Sequence, residues 1–400
     1  MTTNERAELL REREDPQRAT FLELFFDLVL IFALTRITAL LVDDLTSEGQ
    51  IVVLEAGKTV LLFLALWSVW SGTAWVCDTF DPRRLQIQLL VIASMFGLLL
   101  MAVAVPDAFG DRSLLFAGAY VAIHVGRGLY LVLALRGHEA QRRTARTLFW
   151  FGISAVPWIA GAVGPAGVVR GVLWTVAVAV DYVAVALRWP APRLGRSRTS
   201  EMPVVPEHLA ERYQQVTIIA LGESIVVMGL VFSSGPFAAG RTAAFAVAFA
   251  TTALLWRIYI HRAGARLAEA IASSANATRL ARSASIAHLL MVAGIVATAV
   301  GYELVIEHPL GHTDPAWLAV ILGGPALFLI AREQLHSAVS RRVVRHRLIG
   351  AVVLAAAAPV MILVPPLVVA ITAALILAGD AVADMANTQW HSRGPYKPPY

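Results

Sequence analysis

The chain has 400 residues, of which 58% are hydrophobic and 15% are charged, and its formal net charge is +5. This composition is too apolar for a soluble globular protein, and apolar runs of about 20 residues, long enough to span a bilayer, recur along the chain. It predicts an all-α fold, a polytopic bundle of transmembrane helices. The single cysteine, Cys77, excludes an internal disulfide and a thiol pair for zinc or redox chemistry.

The N-terminal segment precedes the first apolar run. Its residues are charged and include no apolar core of a signal peptide. We therefore predict a cytoplasmic segment over residues 1–20, followed by a first span that itself directs insertion into the membrane.

The first span, TFLELFFDLVLIFALTRIT, carries Glu23, Asp27 and Arg36. A charge within hydrocarbon costs at least about 2.5 kcal/mol, so protein or water must surround these side chains. Glu23 and Asp27 are four residues apart and share one helix face, whereas Arg36 lies about half a turn out of phase with Asp27. Partners for the two acids must come from other helices, which predicts that this helix is enclosed on all sides.

The apolar runs predict about twelve spans, near residues 21–42, 54–77, 84–105, 113–135, 146–162, 166–187, 212–232, 240–261, 283–303, 315–335, 347–364 and 366–387. With the N-terminus inside, 26 of the 33 Lys and Arg residues fall in inner segments, three in outer segments and four within spans. Basic residues accumulate on the cytoplasmic side of membrane proteins. The asymmetry predicts cytoplasmic N- and C-termini, and it accounts for the positive charge without nucleic-acid binding.

The longest polar connection lies at the midpoint of the chain and is rich in Pro, Arg and Ser. The predicted segments are a six-span half, a cytoplasmic linker, a second six-span half and a cytoplasmic tail, at residues 21–187, 188–211, 212–387 and 388–400. With an even number of spans, the halves would run parallel if they are repeats. Aligning ELFFDLVLI at Glu23 with ERYQQVTII at Glu211 favours a repeat, and a chance match between two amphipathic segments is the alternative.

Four segments carry a resemblance to known proteins, and in chain order they read FLELFFDLVLIFALTRIT, HLAERYQQVTIIALGESIVVMG (His208 to Gly229), HLLMVAGIVATAVGYELVIEHP (His288 to Pro309) and GGPALFLIA (Gly323 to Ala331). Through these segments, and above all through ELFFDL and LGES, nearly the whole chain resembles the bacterial low temperature requirement A (LtrA) family. The resemblance implies a polytopic membrane protein from a family named for a growth requirement in the cold. It implies no particular biochemical activity.

Charged and polar residues within the spans are the candidates for function, because each is costly in the membrane. Glu223 lies near the bilayer midplane between a glycine and Ser224, a combination suited to binding a cation or carrying a proton. Arg36, deep in the first span and aligned beside it in the proposed repeat, is its predicted neighbour. The predicted proton, ion or substrate site comprises Glu223, Glu23, Asp27, Arg36 and Ser224.

Further residues within the spans are candidates for charge pairing: His124, Arg127, Asp181, Arg257, His288 and Glu303. Several lie within about two turns, or 12 Å, of the predicted cytoplasmic side, so Arg127 or Arg257 could meet Glu23 and Asp27 in one layer. Structural alternatives stand beside these functional ones. Arg127 with Asp181 could simply join two helices, Arg257 could extend to the cytoplasmic surface, and the histidines could be satisfied core residues.

No HExxH, GxSxG, GxxxxGK[ST] or CxxC motif occurs in the sequence. We therefore predict no enzyme activity, no cofactor and no metal site. The leading hypothesis is a secondary transporter, or an ion- or proton-translocating protein, whose buried acids bind protons or a small charged solute. A non-transporting membrane scaffold or sensor is the alternative, and an intramembrane lipid-modifying enzyme is the third. The expected partners are the lipid bilayer and a small solute or proton.

Overall fold

The computed structural model describes residues 9–10, 18–47, 52–197, 205–260, 263–274, 276–340 and 343–392. These residues form thirteen helices and no β-strand, as expected for apolar segments that must satisfy their backbone hydrogen bonds internally. The helices are α1 (Phe21–Thr46), α2 (Val52–Thr79), α3 (Leu85–Ala104), α4 (Ser113–Ala134), α5 (Ala140–Val163), α6 (Val168–Ala186), α7 (Pro206–Ser233), α8 (Ala239–Ile260), α9 (Ala263–Ser273), α10 (Ala277–Glu307), α11 (Pro315–Ser340), α12 (Arg345–Met361) and α13 (Pro366–Ser392).

Eleven of these helices are long and apolar enough to cross a membrane. This confirms the predicted all-α, polytopic bundle. The other two are α9, which the sequence does not predict, and α12, which occupies the predicted eleventh span. Helix α12 has 17 residues, about 25 Å of helix at 1.5 Å per residue, which is the lower limit for a span. A twelfth crossing therefore stays a prediction.

The chain packs into two compact units. The first comprises Met1–Ile219 with Ile271–Ala281, and the second comprises Ala220–Ala270 with Arg282–Tyr400. The division falls within α7, beyond the predicted linker, and the parallel repeat stays a prediction. Parts of the predicted cytoplasmic segments lie outside the described residues, namely 1–8, 11–17, 198–204 and 393–400.

In the first unit, α1 packs against α2 and α3, α3 packs against α4, and α5 packs against α6. Aromatic rings fill the space between α4, α5 and α6, where the centroids of Phe116, Trp158 and Trp174 lie 5.0–6.0 Å apart. Buried Arg170 at the start of α6 donates to three carbonyl oxygens near the end of α5 at 2.9–3.4 Å. Carbonyls at the end of a helix have no partner within it, so Arg170 stabilises this helix turn.

The loop that follows α6 is held against α5. Arg146 donates from Nε and Nη2 to the carbonyl oxygen of Leu194 at 3.0 and 2.7 Å. Trp150 Nε1 donates to the carbonyl oxygen of Pro190 at 2.6 Å. The first residues of the predicted linker therefore pack on the helices of the first unit.

In the second unit, α8 packs against α13, and α12 packs against both α11 and α13. Glycines bring α10 close to α11. A Cβ atom on Gly324 would lie 2.6 Å from Thr298 Oγ1, and one on Gly294 would lie 2.8 Å from the Gly324 carbonyl oxygen. Small residues allow such close approach between membrane helices, so the segment GGPALFLIA has a packing role.

Candidate functional site

Charged side chains of α1, α2 and α7 meet inside the first unit. We name this group the first cluster, and it comprises Glu23, Asp27, Asp78, His208 and Arg212. No member is more than 6% exposed. Two acids four residues apart on α1 face two basic residues four apart on α7, so each pair lies on one face of its helix. The spacing of the acids matches the spacing of their partners.

The Glu23 carboxylate is held from two directions. Its Oε2 accepts hydrogen bonds from Thr20 N at 2.8 Å and from Thr20 Oγ1 at 3.0 Å. This places an acid beside the unsatisfied amides of the first helical turn, where negative charge is favourable. Its Oε1 faces His208 Nε2 at 2.8 Å and Arg212 Nε at 3.5 Å. Both oxygens of Glu23 therefore have polar partners.

Arg212 binds Asp27 through two parallel contacts. Nη1 lies 2.8 Å from Oδ2, and Nη2 lies 2.8 Å from Oδ1. Trp70 Nε1 donates to Oδ1 at 3.0 Å, and Gln215 Oε1 accepts from Arg212 Nη1 at 2.8 Å. A two-pronged arginine–carboxylate contact combines strong hydrogen bonds with a fixed orientation. This pair forms the rigid part of the first cluster.

His208 bridges two acids on different helices. Its Nε2 lies 2.8 Å from Glu23 Oε1 on α1, and its Nδ1 lies 3.2 Å from Asp78 Oδ1 on α2. A neutral imidazole has one N–H group and can donate to only one of two carboxylates. Either His208 is the imidazolium, or one carboxyl group carries the second proton. The three residues therefore form a chain along which a proton can move between groups.

The structure brings Glu23 and Asp27 together but gives them partners other than those predicted. The sequence suggests Arg127 or Arg257, whereas the partners in the structure are Arg212 and His208. Because Arg212 is the first residue of a predicted span, directly after the linker, the sequence alone suggests an ordinary residue at the cytoplasmic surface. The available signal was the spacing within HLAER, which puts His208 and Arg212 on one helix face, as Glu23 and Asp27 are on theirs.

Arg127 and Asp181 do not form the predicted pair, because each has another partner within the first unit. Arg127 Nη2 donates to His124 Nδ1 at 3.1 Å, and Nη1 lies 3.3 Å from Thr73 Oγ1. Asp181 Oδ2 accepts from Tyr120 Oη at 2.7 Å. His124 is buried within a short π-helical turn of α4. These side chains join helices without reaching the first cluster.

Glu223 and Ser224 lie in the second unit, where both are buried. Ser224 Oγ donates to the carbonyl oxygen of Leu221 at 2.7 Å and lies 3.3 Å from Thr252 Oγ1, which donates to Tyr302 Oη at 3.0 Å. A line of hydroxyl groups therefore starts beside the glutamate. Because half-buried Arg36 belongs to the first unit, its pairing with the glutamate stays a prediction.

The remaining candidates are His288, Arg257 and Glu303, all in the second unit. His288 is a satisfied core residue, since its Nδ1 lies 2.7 Å from the Ala284 carbonyl oxygen and its Nε2 lies 3.2 Å from Tyr259 Oη. Arg257 is half-buried in the last turn of α8, and Glu303 is half-buried in α10. Their roles in charge pairing stay predictions.

A surface pocket lies where α1 begins. It has a volume of about 420 Å³, and Thr20, Leu24, Pro82 and Arg83 are among the residues that line it. Thr20 is also the residue that binds Glu23 Oε2. The pocket therefore leads from the surface of the first unit to the residue that contacts the Glu23 carboxylate.

Comparison with known proteins identifies relatives. A family model described as "Bacterial low temperature requirement A protein (LtrA)" matches residues 18–382. A protein of Rhizobium meliloti (strain 1021), named "Uncharacterized protein RA0937", is 37% identical over 332 residues, which cover 82% of this chain and 80% of the relative. No solved structure matches the chain.

Proposed function

Because this chain belongs to the bacterial low temperature requirement A family and is a multi-pass membrane protein, we propose a function in membrane transport. The protein is a secondary transporter or proton-translocating protein of the bacterial inner membrane, with both termini in the cytoplasm. Its first cluster holds and transfers the proton. The orientation is supported by the excess of basic residues in the predicted inner segments.

The position of His208 carries this proposal. The imidazole is 0% exposed and lies between carboxylates of two different helices, at 2.8 and 3.2 Å. Histidine is the side chain whose ordinary titration range includes neutral pH. Ionisable residues inside membrane proteins commonly mark proton pathways, and chains of Asp, Glu and His serve as proton relays. A histidine needed only for packing would not require acids at both nitrogens.

The two parts of the first cluster have different roles in this mechanism. The Arg212–Asp27 contact fixes α7 against α1, because both oxygens of Asp27 are bound. The Glu23, His208 and Asp78 groups share protons, and transfer of one proton changes which carboxylate is charged. The pocket beside Thr20 supplies water to the Glu23 end of this chain. Glu223, with the hydroxyl groups near it, is a second proton-binding site.

A membrane scaffold or sensor is the second candidate. It is favoured by the complete pairing of Asp27, because an acid bound on both oxygens by an arginine has no position left for a solute. A scaffold would use the first cluster to hold α1, α2 and α7 together. It would transport nothing, and it would lose stability when a member of the cluster is changed.

The test is proton flux in sealed proteoliposomes that contain purified protein and a pH-sensitive dye, driven by a potassium diffusion potential. His208→Gln keeps the ability to hydrogen-bond but cannot titrate. We expect this variant to fold and its proton flux to fall to that of empty liposomes. His288→Gln is the matched control, since that histidine is equally buried and its nitrogens contact a carbonyl and a tyrosine.

Two outcomes would contradict the proposal. The relay is wrong if a folded His208→Gln protein conducts protons as the wild type does. If the wild-type protein conducts no protons and His208→Gln only lowers the thermal midpoint in detergent, the scaffold is the better description.

A further inference from the structure

A second buried group of charges lies in the second unit, where α11, α12 and α13 meet. We name it the second cluster, and it comprises Glu333, His346, Arg347, Asp380 and Asp384. Asp380 and Asp384 are four residues apart and share one face of α13. His346 and Arg347 are consecutive residues in the first turn of α12. None of these five residues is among the candidates that the sequence suggests.

Asp384 is well satisfied within the second cluster. Arg347 Nη2 lies 2.9 and 2.7 Å from its two carboxylate oxygens, and His346 Nε2 lies 3.0 Å from Oδ1. Arg347 Nη1 also faces Glu333 Oε2 at 3.6 Å. The arginine therefore fixes the orientation of the Asp384 carboxylate. Oδ2 has one of these partners and Oδ1 has two, so Oδ1 can bind another ligand only when it exchanges its contact with the His346 N–H group.

Asp380 is the exception in the second cluster. It is only 4% exposed, and neither of its carboxylate oxygens accepts a hydrogen bond from any residue that the structure describes. His346 Nε2 lies 3.5 Å from Oδ1, but that nitrogen has one proton and lies closer to Asp384, at 3.0 Å. A carboxylate buried without hydrogen bonds is strongly unfavourable unless a cation compensates it.

The charges around Asp380 also favour binding of a cation. The facing groups on α11 are Arg332, Glu333 and His336, and those on α12 are His346 and Arg347. With the two acids of α13, three carboxylates face two guanidinium groups. The arginines contact or face the other acids. The second cluster and Arg332 together carry one net negative charge when the histidines are neutral, and a further cation near His336, Arg266, is exposed.

We propose that His346, Asp380 and Asp384 bind a divalent transition-metal ion of the zinc type. One imidazole nitrogen and two carboxylate oxygens are a donor set that suits Zn²⁺ and related metals, whereas Mg²⁺ prefers oxygen ligands alone. One possible ligand atom from each residue lies within 4.8 Å of the other two.

The separations fit a single ion. Ligands about 2.0–2.2 Å from a tetrahedral zinc ion lie about 3.4 Å from one another. The observed distances from His346 Nε2 are 3.0 Å to Asp384 Oδ1 and 3.5 Å to Asp380 Oδ1. Three protein ligands leave a fourth position for water or another ligand. The His346 side chain is 21% exposed, which gives an ion a path to the site from the surface.

Metal binding must displace a proton if the site is built in this way. His346 Nε2 can bind a metal only through its lone pair, so the proton it shares with Asp384 has to leave. Arg347 does not coordinate the ion but holds the Asp384 carboxylate in place, as hydrogen-bonded groups around metal ligands commonly do.

The experiment uses full-length, untagged protein, purified in detergent with a chelator and then dialysed free of it. Isothermal titration with ZnCl₂ should give one ion per chain, with MgCl₂ as the contrasting ion that binds weakly. In buffers of different ionisation enthalpy, the titration should reveal proton release. Co²⁺ bound in place of zinc should show the absorption bands of a tetrahedral nitrogen and oxygen site.

Two variants locate the ion. Asp380→Asn should lower zinc affinity by more than about 100-fold, since loss of groups that only support metal ligands already costs 10–100-fold. His346→Gln should do the same, and its partly exposed position makes it the safer variant if Asp380→Asn does not fold. Asp181→Asn is the matched control, a similarly buried aspartate of the first unit, and it should bind zinc as the wild type does.

The proposal is overturned if the wild-type protein binds no zinc, which would mean that Asp380 holds a proton instead. It is also overturned if His346→Gln and every folded Asp380 variant bind zinc as tightly as the wild type, because the ion would then sit elsewhere. This test does not depend on proton flux, so transport and metal binding can fail separately.

Discussion

The first and second clusters use the same kinds of side chain but satisfy them differently. In each, two acids four residues apart on one helix meet a histidine and an arginine on another. In the first cluster, His208 and Arg212 are also four residues apart, and both acids of α1 are bound. In the second, the basic residues are consecutive, and Asp380 has no hydrogen bond among the described residues.

Helix geometry explains this difference. Residues four apart lie on one face, whereas consecutive residues are separated by about 100° around the axis. His208 and Arg212 can therefore face two acids with the same spacing. His346 and Arg347 cannot both align in this way, and both contact Asp384. Matched spacing gives a closed ion-pair network, and mismatched spacing leaves a carboxylate available for a ligand.

The largest effect should come from breaking the closed network. Arg212→Gln should lower the free energy of unfolding by about 3–5 kcal/mol, because it leaves Asp27 buried without its charge partner. The double variant Asp27→Asn with Arg212→Gln should recover part of that loss, since the residues are directly coupled. Denaturant titration in detergent micelles measures both values.

Arg127 is the control for this double-variant experiment, because its partners are His124 and Thr73 rather than the acids of α1. Combining Arg127→Gln with Asp27→Asn should give simply additive losses. If stability is partly recovered in the double variant with Arg127→Gln and not in the one with Arg212→Gln, the charge partner of Asp27 is Arg127 and not Arg212.

A smaller effect should distinguish the two acids of α13 in protein kept free of metal. Asp384→Asn should lower the free energy of unfolding by about 3 kcal/mol, at the low end for a broken buried ion pair, because it leaves Arg347 without its carboxylate in a partly open site. Asp380→Asn should raise it by about 1 kcal/mol, since the amide avoids an unsatisfied buried charge. Equal losses for both variants would mean that Asp380 has a partner as good as that of Asp384.

Added zinc should make the wild type more stable than Asp380→Asn, although Asp380→Asn is the more stable of the two without metal. An ion present at 100 times its dissociation constant stabilises the folded state by about 2.7 kcal/mol. The wild type should gain this stability, and Asp380→Asn should gain almost none at the same zinc concentration. Thermal midpoints with and without the ion provide the comparison.

The fold was largely predictable because the membrane limits the choice of structure. A helix lies at each of the twelve predicted spans, since a backbone in hydrocarbon must satisfy its own hydrogen bonds. Helix α9 was missed because it is too short to span the membrane. The cost of a charge in hydrocarbon can be read from the sequence, and it placed Glu23 and Asp27 inside the bundle, where both are buried.

The pairing of charges was not predictable in the same way. Depth does not reveal which helices are neighbours or which faces they turn to each other, so Arg127 appeared as suitable as Arg212. Residues at the ends of spans were discounted most. Arg212 and Arg347 were assigned to cytoplasmic segments because of their charge, and both lie buried against acids. Because basic residues near the ends of spans are assigned to cytoplasmic segments, Arg212 and Arg347 were not recognised as members of the two clusters.

The smallest expected change in stability concerns Glu223, which belongs to neither cluster. A glutamine of nearly the same shape keeps hydrogen bonding but cannot titrate. Glu223→Gln should therefore change the free energy of unfolding by less than about 1 kcal/mol, as is usual when no packing is lost. If the glutamate carries the proton beyond the first cluster, the folded variant should lose proton flux in proteoliposomes, as His208→Gln does.

Asp44→Asn is the control, because that buried acid accepts a hydrogen bond from Thr59 at 2.7 Å near the far end of α1. Flux equal to that of the wild type in a folded Glu223→Gln protein would remove this residue from the mechanism and leave the first cluster as the proton site.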